Sequence, residues 1–289
     1  MKEIKVVTVL GAGVMGRQIA LNAAVNGFSV YLVDAFPDMC KKAAEWAEGF
    51  LAKSVEKGKS TREDADAALA RVQYVEEIAH AVSNTDLVIE AVIEDEEIKR
   101  KLFLEVNAAA PKDAIIATNS SFIPSSKFVN DIDDPSRLCN LHYFNPAMLM
   151  KLVEIVRGPH TSDATVAALE GFVKAIQKVS ILVNKEIEGF VVNRLLRAAQ
   201  NEAFFLFENG IASVEDIDTG AEKGLNYPMG PFRLLDLAGI DICYMNRQKT
   251  YEETGRPEDK PPTFLEEKFK KGELGRKTGK GWYDYSEKA

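Results

Sequence analysis

A histidine and a glutamate stand twelve residues apart in the middle of the chain, in a pattern suited to proton transfer. His142 lies within the mostly apolar run 138–144, and Glu154 interrupts a second such run at 151–156. A carboxylate in an apolar strand is costly unless a cation or hydrogen-bond donors satisfy it, and an imidazole can do so. The pair would fix the imidazole tautomer and exchange a proton with an alcohol near neutral pH. Residue types alone also allow a core histidine beside a carboxylate on an edge strand.

A glycine-rich motif near the start of the chain is typical of dinucleotide binding. The residues are Gly11, Gly13 and Gly16, with Val14 and Met15 between the last two. The first glycine permits a tight turn, the second allows a pyrophosphate to approach the backbone at a helix N-terminus, and the third allows close packing of helix and strand. An apolar strand precedes the motif and a helical pattern follows it, as this mechanism requires.

An acidic residue follows the glycine motif at the spacing expected for ribose recognition. Asp34 ends the next apolar strand, about 20 residues after the motif. Its carboxylate can accept hydrogen bonds from ribose hydroxyls but would repel a 2′-phosphate, so the sequence predicts NAD rather than NADP as the cofactor. The alternative is a glycine turn in an unrelated α/β fold.

These residues need a parallel sheet to position them. Short apolar runs alternate with helical patterns through the first part of the chain, which predicts strands at 4–10, 29–33, 86–92, 114–118, 138–144 and 151–156, with a further one at 181–183. Helical patterns then take over, beginning at 188–209, with Gly210 as the terminator and N-terminal caps at Ser213 and Thr263. We therefore predict a Rossmann-type α/β domain over 1–185 and an all-α domain over 186–289.

Composition excludes several classes of protein. The net charge of −8 argues against a nucleic-acid partner, because binding to phosphates needs an excess of basic residues. No apolar run is long enough to predict a membrane span, and no signal peptide is expected. The three cysteines have no CxxC spacing, which favours reduced thiols in the cytoplasm. No metal site is predicted.

The chain resembles the 3-hydroxyacyl-CoA dehydrogenase family, and within it the bacterial 3-hydroxybutyryl-CoA dehydrogenases. The motifs that carry the resemblance span nearly the whole chain, and they are residues 11–16, 88–94, 118–121, 142–146, 152–154, 189–194 and 227–231. The resemblance implies an NAD domain followed by a helical domain that forms a homodimer. It also implies the interconversion of (S)-3-hydroxyacyl-CoA and 3-ketoacyl-CoA with NAD(H), with 3-hydroxybutyryl-CoA and acetoacetyl-CoA as the expected pair.

The same resemblance implies roles for particular residues. His142 is the expected acid/base and Glu154 its orienting partner, while Ser121 and Asn193 match residues that hold the substrate oxygen. Without the resemblance, Ser121 would be interpreted as turn chemistry and Asn193 as part of a polar helix face. Further residues match positions that line the nicotinamide and its ribose; together with Ser121, these are Glu94, Lys99, Asn119 and Asn145.

A cationic patch is needed because coenzyme A carries a pyrophosphate and a 3′-phosphate. Lys53 and Lys57 stand one helical turn apart on a predicted helix and would face the same side. The alternative is an ordinary solvated helix face. Two competing functions are a 3-hydroxyisobutyrate-type dehydrogenase, which uses a lysine on the first long helix of its second domain, and a non-catalytic NAD- or CoA-binding protein on the same fold.

Overall fold

The computed structural model describes residues 3–286, apart from the side chain of Glu258. The chain divides into two compact units between Val191 and Val192. This division falls six residues after the predicted domain boundary at residue 185. Each unit has its own hydrophobic core.

One sheet organises the first unit. Its strands are β1 Val6–Leu10, β2 Ser29–Val33, β3 Val72–Val75, β4 Leu87–Glu90, β5 Ile115–Thr118, β6 Leu138–Tyr143, β7 Leu152–Val156 and β8 Val179–Val183. Among the described residues they form an eight-stranded sheet in the order β3-β2-β1-β4-β5-β6-β7-β8. All neighbouring pairs are parallel except β6 and β7, which run antiparallel. The Rossmann-type prediction is confirmed. The predicted strand at 181–183 is part of β8, whereas β3 was not predicted.

Helices cover both faces of this sheet. They are α1 Val14–Val25, α2 Pro37–Glu56, α3 Arg62–Ala70, α4 Ile78–Val82, α5 Glu96–Ala109 and α6 Asp163–Ala175, and a 3₁₀ helix spans Ser125–Asp131. Side chains of successive strand residues point to opposite faces, so Val9 belongs to the core cluster that includes residues of α1 and α6, while Leu10 belongs to the cluster that includes residues of α4 and α5. Burial on both faces explains why β4 and β5 are apolar almost throughout rather than alternating.

The second unit is helical, as predicted. Its helices are α7 Val192–Glu208, α8 Val214–Thr219, α9 Pro231–Ala238, α10 Ile240–Thr254 and α11 Thr263–Lys270. An aromatic cluster fills its core, with Phe204, Phe207 and Phe232 around Trp282. Ser213 caps α8 by accepting from the backbone of Asp216, as predicted. The predicted cap at Thr263 is wrong: Thr263 is already the first helical residue, after Pro262, and no side chain caps the helix.

Candidate active site

His142 and Glu154 face each other because β6 and β7 are antiparallel and place the two residues in direct register. The Nδ1 atom of His142 lies 2.8 Å from Oε2 of Glu154. Both side chains are buried, with 3% of His142 and none of Glu154 exposed. The other carboxylate oxygen accepts a 3.1 Å hydrogen bond from the backbone N–H of Val191. The carboxylate is thus hydrogen-bonded through both oxygens, and it holds the imidazole in one orientation.

Ser121 completes a three-residue array on the opposite side of the imidazole. Its Oγ lies 3.0 Å from Nε2 of His142, and Ser121 belongs to the loop that follows β5. The ring is further confined by Phe144 and Phe190, whose ring centroids lie 4.7 and 5.5 Å away. When Nδ1 donates its proton to Glu154, Nε2 is left as the proton acceptor, so the array can take a proton from an oxygen and return it.

The glycine loop lies where the strand order reverses. The chain leaves β1 for β2 on one side and later returns to β4 on the other, which is the point where open α/β sheets bind ligands. Gly11 has φ = +100°, and a Cβ there would lie 2.6 Å from the carbonyl oxygen of Ala91. A Cβ at Gly16 would collide with the carbonyl oxygen of Gly11, whereas one at Gly13 would meet nothing within 4 Å. Gly13 therefore faces open space at the start of α1, where a pyrophosphate fits.

Asp34 stands beside this loop at the end of β2. Its Oδ2 accepts a 2.7 Å hydrogen bond from the backbone of Ala12, and its Oδ1 accepts one of 2.9 Å from the backbone of Phe36. The carboxylate thus helps to hold the glycine loop, and its remaining lone pairs can accept from ribose hydroxyls. In the first turn of α1, Val14 is exposed and Met15 is half-buried. These residues fit the adenosine half of NAD.

Lys99 is buried between two carboxylates, which the sequence did not indicate. Its Nζ lies 2.6 Å from Oε1 of Glu90 and 3.1 Å from Oε2 of Glu94, and the lysine side chain is 1% exposed. Glu90 also accepts from the hydroxyl of Thr118 at 2.6 Å. Although burial opposes it, the charge of Lys99 and hydrogen bonds from Ser120, Lys99 and the backbone lower the pKa of Glu94. Lys99 therefore holds Glu90 and Glu94 together at the carboxyl end of β4.

Sequence reasoning missed Glu90, although the signal was present. Glu90 is the last residue of β4 and interrupts the apolar run 87–93, as Glu154 interrupts the apolar strand β7. The predicted Asn119 and Asn145 lie after β5 and β6. Oδ1 of Asn119 accepts from the backbone of Tyr143 at 2.9 Å, and Oδ1 of Asn145 accepts from Gln18 at 3.5 Å.

The remaining predicted residues are Lys53, Lys57 and Asn193. Lys53 is exposed in the last turn of α2, and Lys57 is exposed directly after that helix, as expected for a solvated pair. On the same helix face, one and two turns earlier, the rings of Phe50 and Trp46 pack with centroids 5.3 Å apart, and the guanidinium of Arg17 lies 4.8 Å above Trp46. Asn193 is half-buried in the first turn of α7, in the second unit, and its role stays a prediction.

Known proteins resemble the chain along its whole length. Residues 6–187 match the family model described as 3-hydroxyacyl-CoA dehydrogenase, NAD binding domain, and residues 189–285 match the C-terminal domain of the same family. The chain belongs to the 3-hydroxyacyl-CoA dehydrogenase family. Its first domain is thereby an NAD-binding domain, in agreement with the glycine loop and Asp34.

Individual members of the 3-hydroxyacyl-CoA dehydrogenase family align with nearly the full chain. The 3-hydroxybutyryl-CoA dehydrogenase of Bradyrhizobium diazoefficiens is 39% identical over 98% of this chain and 96% of its own. The human mitochondrial hydroxyacyl-coenzyme A dehydrogenase is 37% identical over 98% and 91%. The solved structure of (S)-3-hydroxybutyryl-CoA dehydrogenase from Ralstonia eutropha superposes with a TM-score of 0.87, at 37% identity over 98% and 99% of the two chains.

The described residues contain neither a candidate membrane span nor a candidate metal site. Within residues 3–286, no helix is both long and apolar enough to cross a membrane. In the same part of the chain, no group of three or more His, Cys, Asp or Glu side chains is arranged to hold a metal ion.

Proposed function

We propose that this protein interconverts (S)-3-hydroxyacyl-CoA and 3-ketoacyl-CoA with NAD(H), and that its preferred pair is 3-hydroxybutyryl-CoA and acetoacetyl-CoA. The observation that carries the proposal is the buried array in which His142 contacts Glu154 through Nδ1 and Ser121 through Nε2. An alcohol dehydrogenation needs one group that accepts the hydroxyl proton and another that donates to the same oxygen. Nε2 of His142 and Oγ of Ser121 converge on such a point.

The proton chemistry belongs to His142. In oxidation, Nε2 accepts the proton of the 3-hydroxyl, and the resulting imidazolium is stabilised by the carboxylate of Glu154 at 2.8 Å. In reduction, Nε2–H returns the proton to the same oxygen. NAD, when bound, supplies the hydride acceptor or donor. Ser121 donates to the substrate oxygen, where negative charge develops during transfer.

The glycine loop and Asp34 are the residues that would hold the adenosine end of NAD. Open space beside Gly13 at the start of α1 suits the pyrophosphate, and the Asp34 carboxylate suits the ribose hydroxyls. Glu94, Lys99, Asn119 and Asn145 are the residues that we assign to the nicotinamide end, on the strength of their places after β4, β5 and β6.

We place the nucleotide end of coenzyme A on the exposed face of α2. Lys53 and Lys57 offer cations for its phosphates, and the half-buried rings of Trp46 and Phe50 lie on the same face. Arg17, stacked on Trp46, adds a third cation to this surface. The carbonyl end of the substrate would be held by Ser121 and, by family resemblance, Asn193.

The 3-hydroxyisobutyrate alternative requires a lysine on the first long helix of the second domain. The sequence of α7 contains arginines but no lysine. In the site described above, the proton carrier would be His142 paired with Glu154 rather than a lysine. A non-catalytic binding protein would not need a buried imidazole between a carboxylate and a hydroxyl. Both observations favour the 3-hydroxyacyl-CoA reaction.

The second unit supports a proposal of homodimerisation. Several large apolar side chains of its helices are exposed, including Leu195 at 67%, Phe205 at 52% and Met245 at 59%. A second copy of the chain would cover such a surface. Multi-angle light scattering should give twice the mass of one chain, and Leu195→Glu should lower it. A monomeric mass for the unaltered protein would contradict the dimer.

We also propose that the protein works in the cytoplasm. Cys40, Cys139 and Cys243 are free thiols, and burial raises the pKa of Cys139 to about 12, which keeps it in the unreactive thiol form. A reducing compartment suits this set of unpaired cysteines. Cell fractionation followed by detection of the protein tests the location, and recovery from an oxidising compartment would contradict it.

An assay of chain length tests the function directly. The oxidation of NADH and of NADPH should be followed with 3-ketoacyl-CoA esters from C4 to C16. We expect turnover with NADH and the highest kcat/KM at C4. An absence of turnover with every ester would refute the proposed reaction, and a maximum at C10 or above would refute the proposed preference.

A further inference from the structure

A second polar cluster, in which Ser125 is buried and His160 and Glu186 are half-buried, is not used by the proposed reaction. It contains Ser125 at the start of the 3₁₀ helix, His160 after β7 and Glu186 after β8. Oε1 of Glu186 accepts from the hydroxyl of Ser125 at 3.0 Å and from the backbone N–H of Ser126 at 2.9 Å. Nε2 of His160 lies 3.4 Å from Oγ of Ser125. The side chain of His160 is half-buried.

The space for this cluster is provided by a glycine. A Cβ at Gly158 would collide with the imidazole of His160 and would lie 3.0 Å from Oε1 of Glu186. Burial lowers the pKa of His160, although Glu186 opposes that effect, so the imidazole is favoured in its neutral form. Nε2 of His160 can then donate to Ser125, whose hydroxyl donates to Glu186. The cluster is a chain of hydrogen bonds that ends on the Glu186 carboxylate.

The hydrogen bonds between Glu186 and residues Ser125 and Ser126 hold the loop that carries Ser121. The loop begins after β5, and its far end is tied to β6, because Asn140 accepts from the backbone of Ser125 at 2.7 Å and donates to the carbonyl of Ile123 at 3.0 Å. Glu186 also holds this part of the loop, through its hydrogen bonds with Ser125 and Ser126. Ser121 lies four residues before the anchored Ser125, and its Oγ must stay within hydrogen-bond distance of His142.

Glu186 also directly precedes the backbone segment that covers the acid/base pair. Four and five residues after Glu186, Phe190 packs its ring against His142 and Val191 donates its N–H to Glu154. Glu186 is thus a side chain that joins the Ser121 loop to the segment that holds Glu154. The contacts on both sides of the His142 ring therefore depend on the distance between these two segments.

We propose that Glu186 is a positioning residue for the acid/base array: it sets the spacing between Ser121 and the Phe190–Val191 backbone around His142. This inference rests on the proposed function, in which His142 and Ser121 share the substrate oxygen. Displacement of a reacting group by about 1 Å can cost a factor of 100 in rate. Glu186 does not touch the glycine loop or Asp34, so its loss should act on the rate and leave NADH binding intact.

Three variants separate positioning from simple structural support. Glu186→Ala removes both hydrogen bonds, Glu186→Gln keeps an acceptor oxygen of the same shape, and Lys185→Ala alters an exposed neighbour as the control. We expect kcat for acetoacetyl-CoA reduction to fall about 10- to 100-fold in the alanine variant. The glutamine variant should stay within about threefold of the unaltered protein, and KM for NADH should change by less than about twofold in all of them.

A spectroscopic measurement tests the same inference without turnover. The chain has three histidines, so the imidazole ¹H–¹⁵N signals can be assigned with His80→Gln and His142→Gln. In the ligand-free protein, Glu186→Ala should shift the His142 ring signals as its contact with Ser121 changes, whereas Lys185→Ala should not. If Glu186→Ala fails to fold, Ser125→Ala should show the same shift with a loss of about three- to tenfold in kcat.

The outcomes are distinct. A kcat within twofold of the unaltered protein in Glu186→Ala, or an unshifted His142 signal, would overturn the positioning role. Equal losses in the alanine and glutamine variants would also overturn it, because glutamine preserves the geometry. If the unaltered protein reduces no 3-ketoacyl-CoA, the proposed function fails, while the histidine spectra still decide whether Glu186 positions His142.

Discussion

His142 and Glu154 form a buried hydrogen bond of 2.8 Å across two antiparallel strands in an otherwise parallel sheet. The reversal between β6 and β7 brings the two side chains to the same face in direct register. A parallel connection would have separated them along the sheet. The acid/base pair therefore depends on one change of strand direction.

Replacing the imidazole should abolish the chemistry and spare the cofactor. His142→Gln removes the group that exchanges a proton with the substrate oxygen, so we expect kcat for acetoacetyl-CoA to fall by about 10²–10⁴-fold. The dissociation constant for NADH, measured by fluorescence titration, should be unchanged. His80→Gln is the matched control, since His80 is exposed. Turnover near normal in His142→Gln would rule out the assigned role.

Removing the charge of the orienting carboxylate should also reduce the rate. Glu154→Gln keeps the size of the side chain but offers an amide to His142, which disfavours the tautomer with its proton on Nδ1 and the imidazolium formed during oxidation. We expect kcat to fall about 100-fold, with little change in KM for NADH. Stopped-flow and steady-state rates check this. A loss confined to KM would instead indicate a binding role.

The carboxylate of Asp34 should set the choice of cofactor. The unaltered protein should prefer NADH, because Asp34 accepts from ribose hydroxyls and repels a 2′-phosphate. In Asp34→Asn the ratio of kcat/KM for NADH to that for NADPH should fall about tenfold or more. Asp38→Asn is the control, because Asp38 is an exposed acid in the first turn of α2. Equal efficiencies with both cofactors in the unaltered protein would contradict the assignment.

The lysines of α2 should act on the nucleotide end of the substrate. In the double variant Lys53→Ala/Lys57→Ala, KM for acetoacetyl-CoA should rise about tenfold, whereas KM for acetoacetyl-pantetheine, which lacks the nucleotide, should not change. Lys41→Ala/Lys42→Ala alters two exposed lysines of the same helix and serves as the control. Equal effects on both substrates would exclude phosphate binding at this face.

The buried lysine should be needed for stability near neutral pH. Lys99→Met leaves Glu90 and Glu94 without their cation, and breaking a buried pair costs about 3–5 kcal/mol of unfolding free energy. The folded pKa of Glu94 is lowered, so its stabilising contribution is present above its ordinary value of 4.5 and is lost as pH falls through the lower value. The loss of unfolding free energy in Lys99→Met should therefore be largest near neutral pH and should shrink in acid.

Denaturant and acid titrations followed by circular dichroism measure both effects. Lys101→Met is the control, because Lys101 is exposed on the same helix α5. An unfolding free energy of Lys99→Met equal to that of the control would show that the ion pair contributes nothing.

Local patterns predicted part of this protein well. The strands β1, β2 and β7 agree with the predicted bounds within a residue or two, and Gly210 follows α7 with a positive φ as predicted, whereas the predicted cap at Thr263 was wrong. The sequence did not indicate the burial of Lys99 between Glu90 and Glu94, because that burial depends on how α5 packs against the end of β4.

The sequence by itself determined the dinucleotide loop, because its turn, its helix N-terminus and its carboxylate all lie within 24 residues, from Gly11 to Asp34. Only the tertiary structure decided which side chains meet in the interior. Contact between His142 and Glu154 needs an antiparallel register, the burial of Lys99 needs α5 to pack against Glu90 at the end of β4, and the role proposed for Glu186 needs a loop about 60 residues earlier in the chain. These contacts arise from long-range packing, which no local pattern of residues encodes.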